Sequence, residues 1–320
     1  MNGVDFKTIE PLRDMRAVLD LAQLIAQVNG PKKVAVAAAA DSHVLEAVNE
    51  ARADGMIVPI LFGVKADIEK VAQSIGMDLS SVEVVDCATL EQAAELAVKA
   101  VSSGKADILM KGQLDTAIIL RAVLNKDYGL RTGKQLSHVL VFDAPLADYG
   151  RLFMMTDGAM NIEPDLKAKI AIVENAVTVA HCLGLERPKV AMLAAVEVVN
   201  PDMSTAVDDA IISKMGDRGQ IKGAIIDGPL ALDNAVSLES AKIKKIESPV
   251  AGQADILVVD NIDVGNVFYK TLVYFAKARV AGVIMGATKP FVLTSRADDE
   301  ATKYHSIALA CVLAERMPYV

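Results

Sequence analysis

A chain of 320 residues that is 52% apolar is large enough for two α/β lobes or one sizeable α/β domain with a substantial core. Its net charge of −8 argues against nucleic acid as the main partner, and with no tryptophan and 4% aromatics there is little to stack bases on. No apolar run reaches the ~18 residues a membrane helix needs, the charged amino end lacks a hydrophobic signal core, and the three scattered cysteines, Cys87, Cys182 and Cys311, match no metal spacing, so a reduced cytoplasm is expected.

In chain order, apolar helical spacing over 12–28 ends at Asn29-Gly30, a helix stop. A strand over 33–40, closed by Asp41-Ser42, leads to a helix ending near 54. The same alternation follows: strand 56–62, helix 65–75, strand 82–85, helix 90–102, strand 107–110 and a helix over 114–125. Short continuous apolar strands between amphipathic helices predict a parallel, doubly wound sheet. Between 125 and 157 the rhythm changes: strands 136–142 and 152–155 have only a Pro/Asp/Gly loop between them, an antiparallel excursion that marks a passage between lobes. Alternation then resumes with helix 165–183, strand 189–195, helix 203–215, strand 222–226, helix 238–246, strand 255–259, helix 265–277, strand 280–285, a short run at 291–293 and a terminal helix reaching 317.

Several strands end in polar or glycine punctuation: Lys111-Gly112, Thr156-Asp157-Gly158, Asp227-Gly228-Pro229, and Asp260-Asn261 followed by Gly265-Asn266. Ligands of open α/β sheets bind outside the carboxyl ends of the strands, although any one Asp-Gly pair also reads as an ordinary turn. The densest such end is Thr288-Lys289-Pro290-Phe291-Val292-Leu293-Thr294-Ser295-Arg296-Ala297-Asp298-Asp299-Glu300. It predicts a strand delivering a hydroxyl pair, an arginine and acids to a helix start, where amide N–H groups and the helix dipole favour an anion and Arg296 can grip phosphate with two hydrogen bonds. Ser295-x-x-Asp298 is equally a capping box. The cations able to converge on an anion are Lys111, Arg121, Arg131, Lys289 and Arg296.

Dinucleotide, P-loop, nucleophile-elbow and zinc-protease motifs are all missing. His43, His138, His181 and His305 are not spaced as metal ligands, and His138 and His181 sit in apolar patterns, where a structural role is expected. Neither a bound metal nor a redox cofactor is expected.

Four blocks carry a resemblance to a known family. They are Met110-Lys111-Gly112-Gln113-Leu114-Asp115-Thr116 with Leu124-Asn125-Lys126; Leu130-Arg131-Thr132-Gly133 with Ser137-His138; Asp227-Gly228-Pro229-Leu230-Ala231-Leu232-Asp233; and Ala254-Asp255-Ile256-Leu257 through Gly265-Asn266-Val267-Phe268-Tyr269-Lys270 to Thr294-Ser295-Arg296-Ala297-Asp298. In these, over nearly its whole length, the chain resembles the phosphate acetyl/butyryl transferases, and the phosphate butyryltransferase branch most closely. The resemblance implies reversible conversion of acyl-CoA and orthophosphate to acyl phosphate and CoA, without metal and with CoA as substrate rather than bound cofactor. It implies two doubly wound α/β lobes of the isocitrate/isopropylmalate dehydrogenase kind with the site in their cleft: 1–134 plus 290–320 in the first, 135–289 in the second.

The resemblance also places Ser295 and Arg296 near the CoA thiol and phosphate, Arg121 at the cleft, and Lys111, Gly112 and Thr116 on the phosphate side. Arg131, Asp227, Gly228, Gly265, Asn266 and Lys289 complete the expected substrate-binding set. Two positions depart from the acetyl-type pattern: Tyr274 stands where those members carry arginine, and Thr302 falls where they carry the proposed base, leaving Asp298 or Asp299 for that role. Tyr274, with Met110, Met154 and Met155 near strand ends, leans toward a larger acyl group. The alternatives are an acetyl-specific transferase, an oxidoreductase on the related dehydrogenase fold, and a non-catalytic acyl-CoA sensor. A homodimer or higher homo-oligomer is the base expectation.

Overall fold

The computed structural model describes residues 6, 8–144, 150–295 and 298–317. The chain divides into two compact units, Met1–Thr8 with Met15–Lys134 and Ala281–Val320 in one, Ile9–Asp14 with Gln135–Val280 in the other. Among the described residues no helix is long and apolar enough to cross a membrane.

The first unit opens with α1 (Met15–Asn29), whose Met15, Val18, Ala22 and Ile25 stripe is buried and which stops where Gly30 takes a φ of 89°. Then come β1 (Lys32–Ala37), α2 (Ser42–Ala53), β2 (Ile57–Gly63), α3 (Lys65–Ser74), β3 (Glu83–Asp86), α4 (Leu90–Ser102), β4 (Ile108–Lys111) and α5 (Thr116–Val123). The second unit holds β5 (Ser137–Asp143), β6 (Phe153–Thr156), α6 (Leu166–Cys182), β7 (Lys189–Leu193), α7 (Ser204–Asp217), β8 (Ile225–Leu230), α8 (Leu232–Val236), α9 (Leu238–Ile243), β9 (Ile256–Val258) and α10 (Ile262–Tyr274). The chain then runs through β10 (Arg279–Met285) and β11 (Phe291–Val292) into α11 (Glu300–Arg316).

Strand order in the first unit is β3-β2-β1-β4-β11-β10. Every neighbouring pair is parallel except β11 with β10. Val34, Ala35, Val36, Ile108, Leu109 and Met110 are all fully buried, as a parallel sheet covered on both faces requires. In the second unit the order is β5-β6-β9-β7-β8, and the expected antiparallel excursion is the β5–β6 pair. Its core includes Phe142 stacked on Phe153 at 5.6 Å, with Leu257, Tyr269 and Leu272 buried around them.

The fold departs from the sequence reading in two places. The strand expected at 222–226 runs instead over Ile225–Leu230, so Asp227, Gly228 and Pro229 lie inside β8 rather than in a turn after it. A Cβ on Gly228 would stand 2.6 Å from the Met192 Cβ of the neighbouring strand, so the close approach of β7 and β8 requires glycine there. The helix expected at 265–277 starts earlier because Asn261 caps it, accepting the Val264 N–H at 3.1 Å. Gly265 and Asn266 are therefore helical residues, not part of a strand-end loop.

Candidate active site

Three neighbouring strands of the first unit, β1, β4 and β11, run parallel, with Ala37 opposite Lys111 and Val292 opposite Met110. Their carboxyl ends therefore emerge together. What leaves them is Ala38 to Asp41, Gly112 to Asp115, and Leu293 to Ser295 followed by Asp298 and Asp299, ahead of α2, α5 and α11. Three helix N-termini above one sheet edge concentrate backbone N–H groups and positive dipole ends in one place.

The ends are stitched tightly. Gly112 N–H donates to the Ala37 carbonyl and Gln113 N–H to the Ala38 carbonyl, both at 2.8 Å. A Cβ on Gly112 would lie 2.2 Å from the Ala38 oxygen, so this position admits only glycine. Lys111 is 4% exposed, and its Nζ lies 3.3 Å from the Gly112 carbonyl oxygen.

The helix starts differ in their caps. Asp41 accepts the Val44 N–H at 2.9 Å at the head of α2, and Asp299 accepts the Thr302 N–H at 2.9 Å at the head of α11. Asp115 sits at the head of α5 and makes no side-chain capping bond, while its carbonyl takes the Ile118 N–H at 3.0 Å. An anion is the ordinary partner for such a terminus.

The capping-box alternative for Ser295 resolves into two separate devices. Asp298 is 6% exposed; its Oδ2 accepts the Ser295 N–H at 2.7 Å, and its own N–H donates to the Ser295 carbonyl at 3.2 Å. Residues 295 and 298 are thus the two ends of a closed turn, and the helix cap is the next residue, Asp299. Burial pushes the Asp299 carboxyl up, but hydrogen bonds from the Thr302 backbone and hydroxyl outweigh it and hold the group below the usual carboxylate range. Arg296, between the turn's ends, lies outside the described residues.

Other expected site residues are scattered more widely. Arg121 is exposed in the last turn of α5, five residues or roughly 7.5 Å of helix rise beyond Thr116. Arg131 is exposed and bridges Ala287 in an isolated antiparallel pair; Lys289 is half-buried just before β11. In the second unit the Asp227 carboxylate already accepts the Gly228 N–H at 2.9 Å and Ser213 Oγ at 3.4 Å. A Cβ on Gly265 would meet the Gly158 Cα at 2.6 Å, so packing accounts for that glycine, and Asn266 is exposed on α10. His181 Nε2 pairs with the Gly223 carbonyl at 2.9 Å, a structural role as expected, and all three cysteines are buried and outside any disulfide.

Sequence reasoning missed Lys303. It is 3% exposed in the first turn of α11, and its Nζ donates to the Asp298 carbonyl oxygen. Burial lowers its pKa against the opposing pull of the Asp298, Asp41, Asp299 and Glu300 carboxylates. A lysine inside a helical pattern reads as solvent-facing, and nothing local in the sequence distinguishes this one.

Against known proteins, the chain matches the phosphate acetyl/butaryl transferase family model over residues 20–100 and 87–311. It is 52% identical over 285 residues to a phosphate butyryltransferase of Clostridium beijerinckii, covering 89% of this chain and 94% of that one. It is 48% identical over 295 residues to a phosphate acetyltransferase of Thermotoga maritima, covering 92% and 99%. The crystal structure of a branched-chain phosphotransacylase from Enterococcus faecalis superposes with a TM-score of 0.79 at 36% identity, covering 88% of this chain and 99% of that one. The chain belongs to the phosphate acetyl/butyryl transferase family.

Proposed function

We propose that the protein is a reversible acyl-CoA:phosphate acyltransferase, forming acyl phosphate and CoA, with butyryl-CoA as its preferred substrate and the strand-end cluster of the first unit as its reaction centre. One observation carries this reading: the parallel register that brings Lys111, the start of α5 and the Ser295–Asp298 pair to the same sheet edge. Phosphate binds at Thr116 and Lys111, which lie at the start of α5 and the end of β4. Arg121, Arg131 and Lys289 supply further positive charge.

In the direction of CoA acylation, the CoA thiol must lose its proton; thiols titrate near ~8.5, so a base raises the reactive fraction at neutral pH. Asp298 is the base this arrangement favours, because it is buried against Ser295 while Asp299 is held below the usual carboxylate range as a helix cap. The thiolate attacks the acyl phosphate carbonyl carbon, and the carbon–oxygen bond to phosphate breaks. Arg296 stabilises the negative charge on the carbonyl oxygen and the departing phosphate. In the opposite direction orthophosphate attacks the thioester, and Asp298 returns the proton to sulfur.

The proposal keeps the division into two doubly wound lobes, 1–134 plus 290–320 and 135–289. It also keeps a homodimer or larger homo-oligomer and a cytoplasmic setting, which three cysteines outside any disulfide suit. Relatives of similar identity carry butyryl and acetyl names, and a hydrophobic pocket discriminates only ~10–200-fold per methylene. CoA release from acetyl-, butyryl- and branched acyl-CoA with and without phosphate tests the reading. Phosphate-dependent release fastest with butyryl-CoA is expected; release indifferent to phosphate would end it.

A further inference from the structure

Three features bear on what aims the Ser295–Asp298 turn. The turn is closed at both ends by reciprocal bonds, Ser295 N–H to Asp298 Oδ2 and Asp298 N–H to the Ser295 carbonyl. Its Asp298 end is held from below by the ammonium of Lys303, which donates to the Asp298 carbonyl oxygen. That ammonium is almost completely withdrawn from water.

Burying a lysine is costly for the fold, and a methionine of similar volume would fill the same space without a charge to desolvate. The charge therefore needs a reason other than packing. Asp298, Asp41, Asp299 and Glu300 supply the field that lets it stay. Asp41 and Asp299 are at the same time the caps of α2 and α11, so the cation bonded to the turn before α11 also sits in the field of two helix caps.

We propose that Lys303 is a positioning residue of the acyl transfer: its bond to the Asp298 carbonyl sets the placement of Asp298, the base, and of Ser295, to which Asp298 is bonded. This rests on the acyltransferase reading above. Lys303 touches no substrate in this account and exchanges no proton. It acts on turnover rather than on affinity, because a turn displaced by about 1 Å can lower the rate ~100-fold while leaving CoA and phosphate contacts elsewhere intact.

The test is steady-state kinetics of phosphate-dependent CoA release from butyryl-CoA by the wild-type protein, Lys303→Met, Lys303→Arg and Lys303→Ala. Lys303→Met is expected to lose kcat by ~100-fold, on the scale of an angstrom misplacement, with KM within about threefold. Lys303→Arg, which keeps charge and donor, is expected to recover to within about tenfold of wild type, and added ethylamine to raise the rate of Lys303→Ala. Should Lys303→Met aggregate, Lys303→Gln takes its place under the same criterion. A folded Lys303→Met or Lys303→Gln with wild-type kcat, a loss confined to KM, or no recovery with either arginine or amine overturns the role. A wild-type protein that releases no CoA overturns the acyltransferase reading and this role with it.

Discussion

Lys303 in the first unit and Lys169 in the second are buried to nearly the same degree, 3% and 5% exposed, and their ammonium groups are pushed in opposite directions. Burial lowers both. At Lys169, direct hydrogen bonds to Asp260 at 2.7 Å and Asp208 at 2.9 Å overcome it, and the pKa ends above the ordinary lysine value. Lys303 bonds a neutral carbonyl and feels its carboxylates only at a distance, so burial wins and the pKa ends below. Contact with a charged acceptor, more than the number of acids nearby, decides the outcome. The second-unit cluster is built to stay ionised and hold α6 to α7 and to the end of β9; the first-unit cluster spends stability to place a turn.

The comparison predicts that damage to one region lowers stability and damage to the other lowers turnover. The largest stability effect is expected from Lys169→Met, which strands the carboxylates of Asp208 and Asp260: a loss of about 3 kcal/mol by chemical unfolding, at the low end for a broken buried pair because both acids are partly exposed. The kcat of the folded fraction should stay unchanged, and a large drop would erase the distinction. Arg296→Ala should do the reverse, lowering kcat/KM at least ~100-fold, the scale of one lost electrostatic stabiliser, with little change in the unfolding midpoint.

A smaller effect sharpens the electrostatic part. Asp209, beside Lys169, is 2% exposed, its Oδ2 has no hydrogen-bond partner, and burial pushes its pKa to about 8. Its folded-state pKa is raised above the unfolded value, so the folded state holds a proton that the unfolded state releases above ~4. The group therefore lowers stability progressively as pH rises from there toward 8. Asp209→Asn should remove this slope, its advantage over wild type growing by up to about 3 kcal/mol from pH 5 to pH 7. Parallel pH dependence in the two proteins would contradict the assignment.

The alternation of strands and helices was legible because most buried strands are short continuous apolar runs. Asp227-Gly228-Pro229 misled because residues with the composition of a turn lie in a strand, where the close approach of Met192 requires the glycine, a tertiary fact. Ser295-x-x-Asp298 was legible as a capping pattern, but the assignment of cap to Asp299 and turn closure to Asp298 depends on a one-residue difference in geometry. Lys169 and Lys303 were silent for a common reason. Both α6 and α11 are buried over most of their surface, and a lone lysine in such a helix gives no local sign of the acids it meets from elsewhere in the chain.

The most direct test of the strand-end cluster as the reaction centre is phosphate-dependent CoA release from butyryl-CoA by Asp298→Asn beside Asp299→Ala. The account predicts that Asp298→Asn loses kcat ~100-fold, at the lower end for a missing general base. Asp299→Ala should lose only about 1 kcal/mol of stability, the cost of a helix cap, and turn over normally. Asp298→Asn working at the wild-type rate would contradict it.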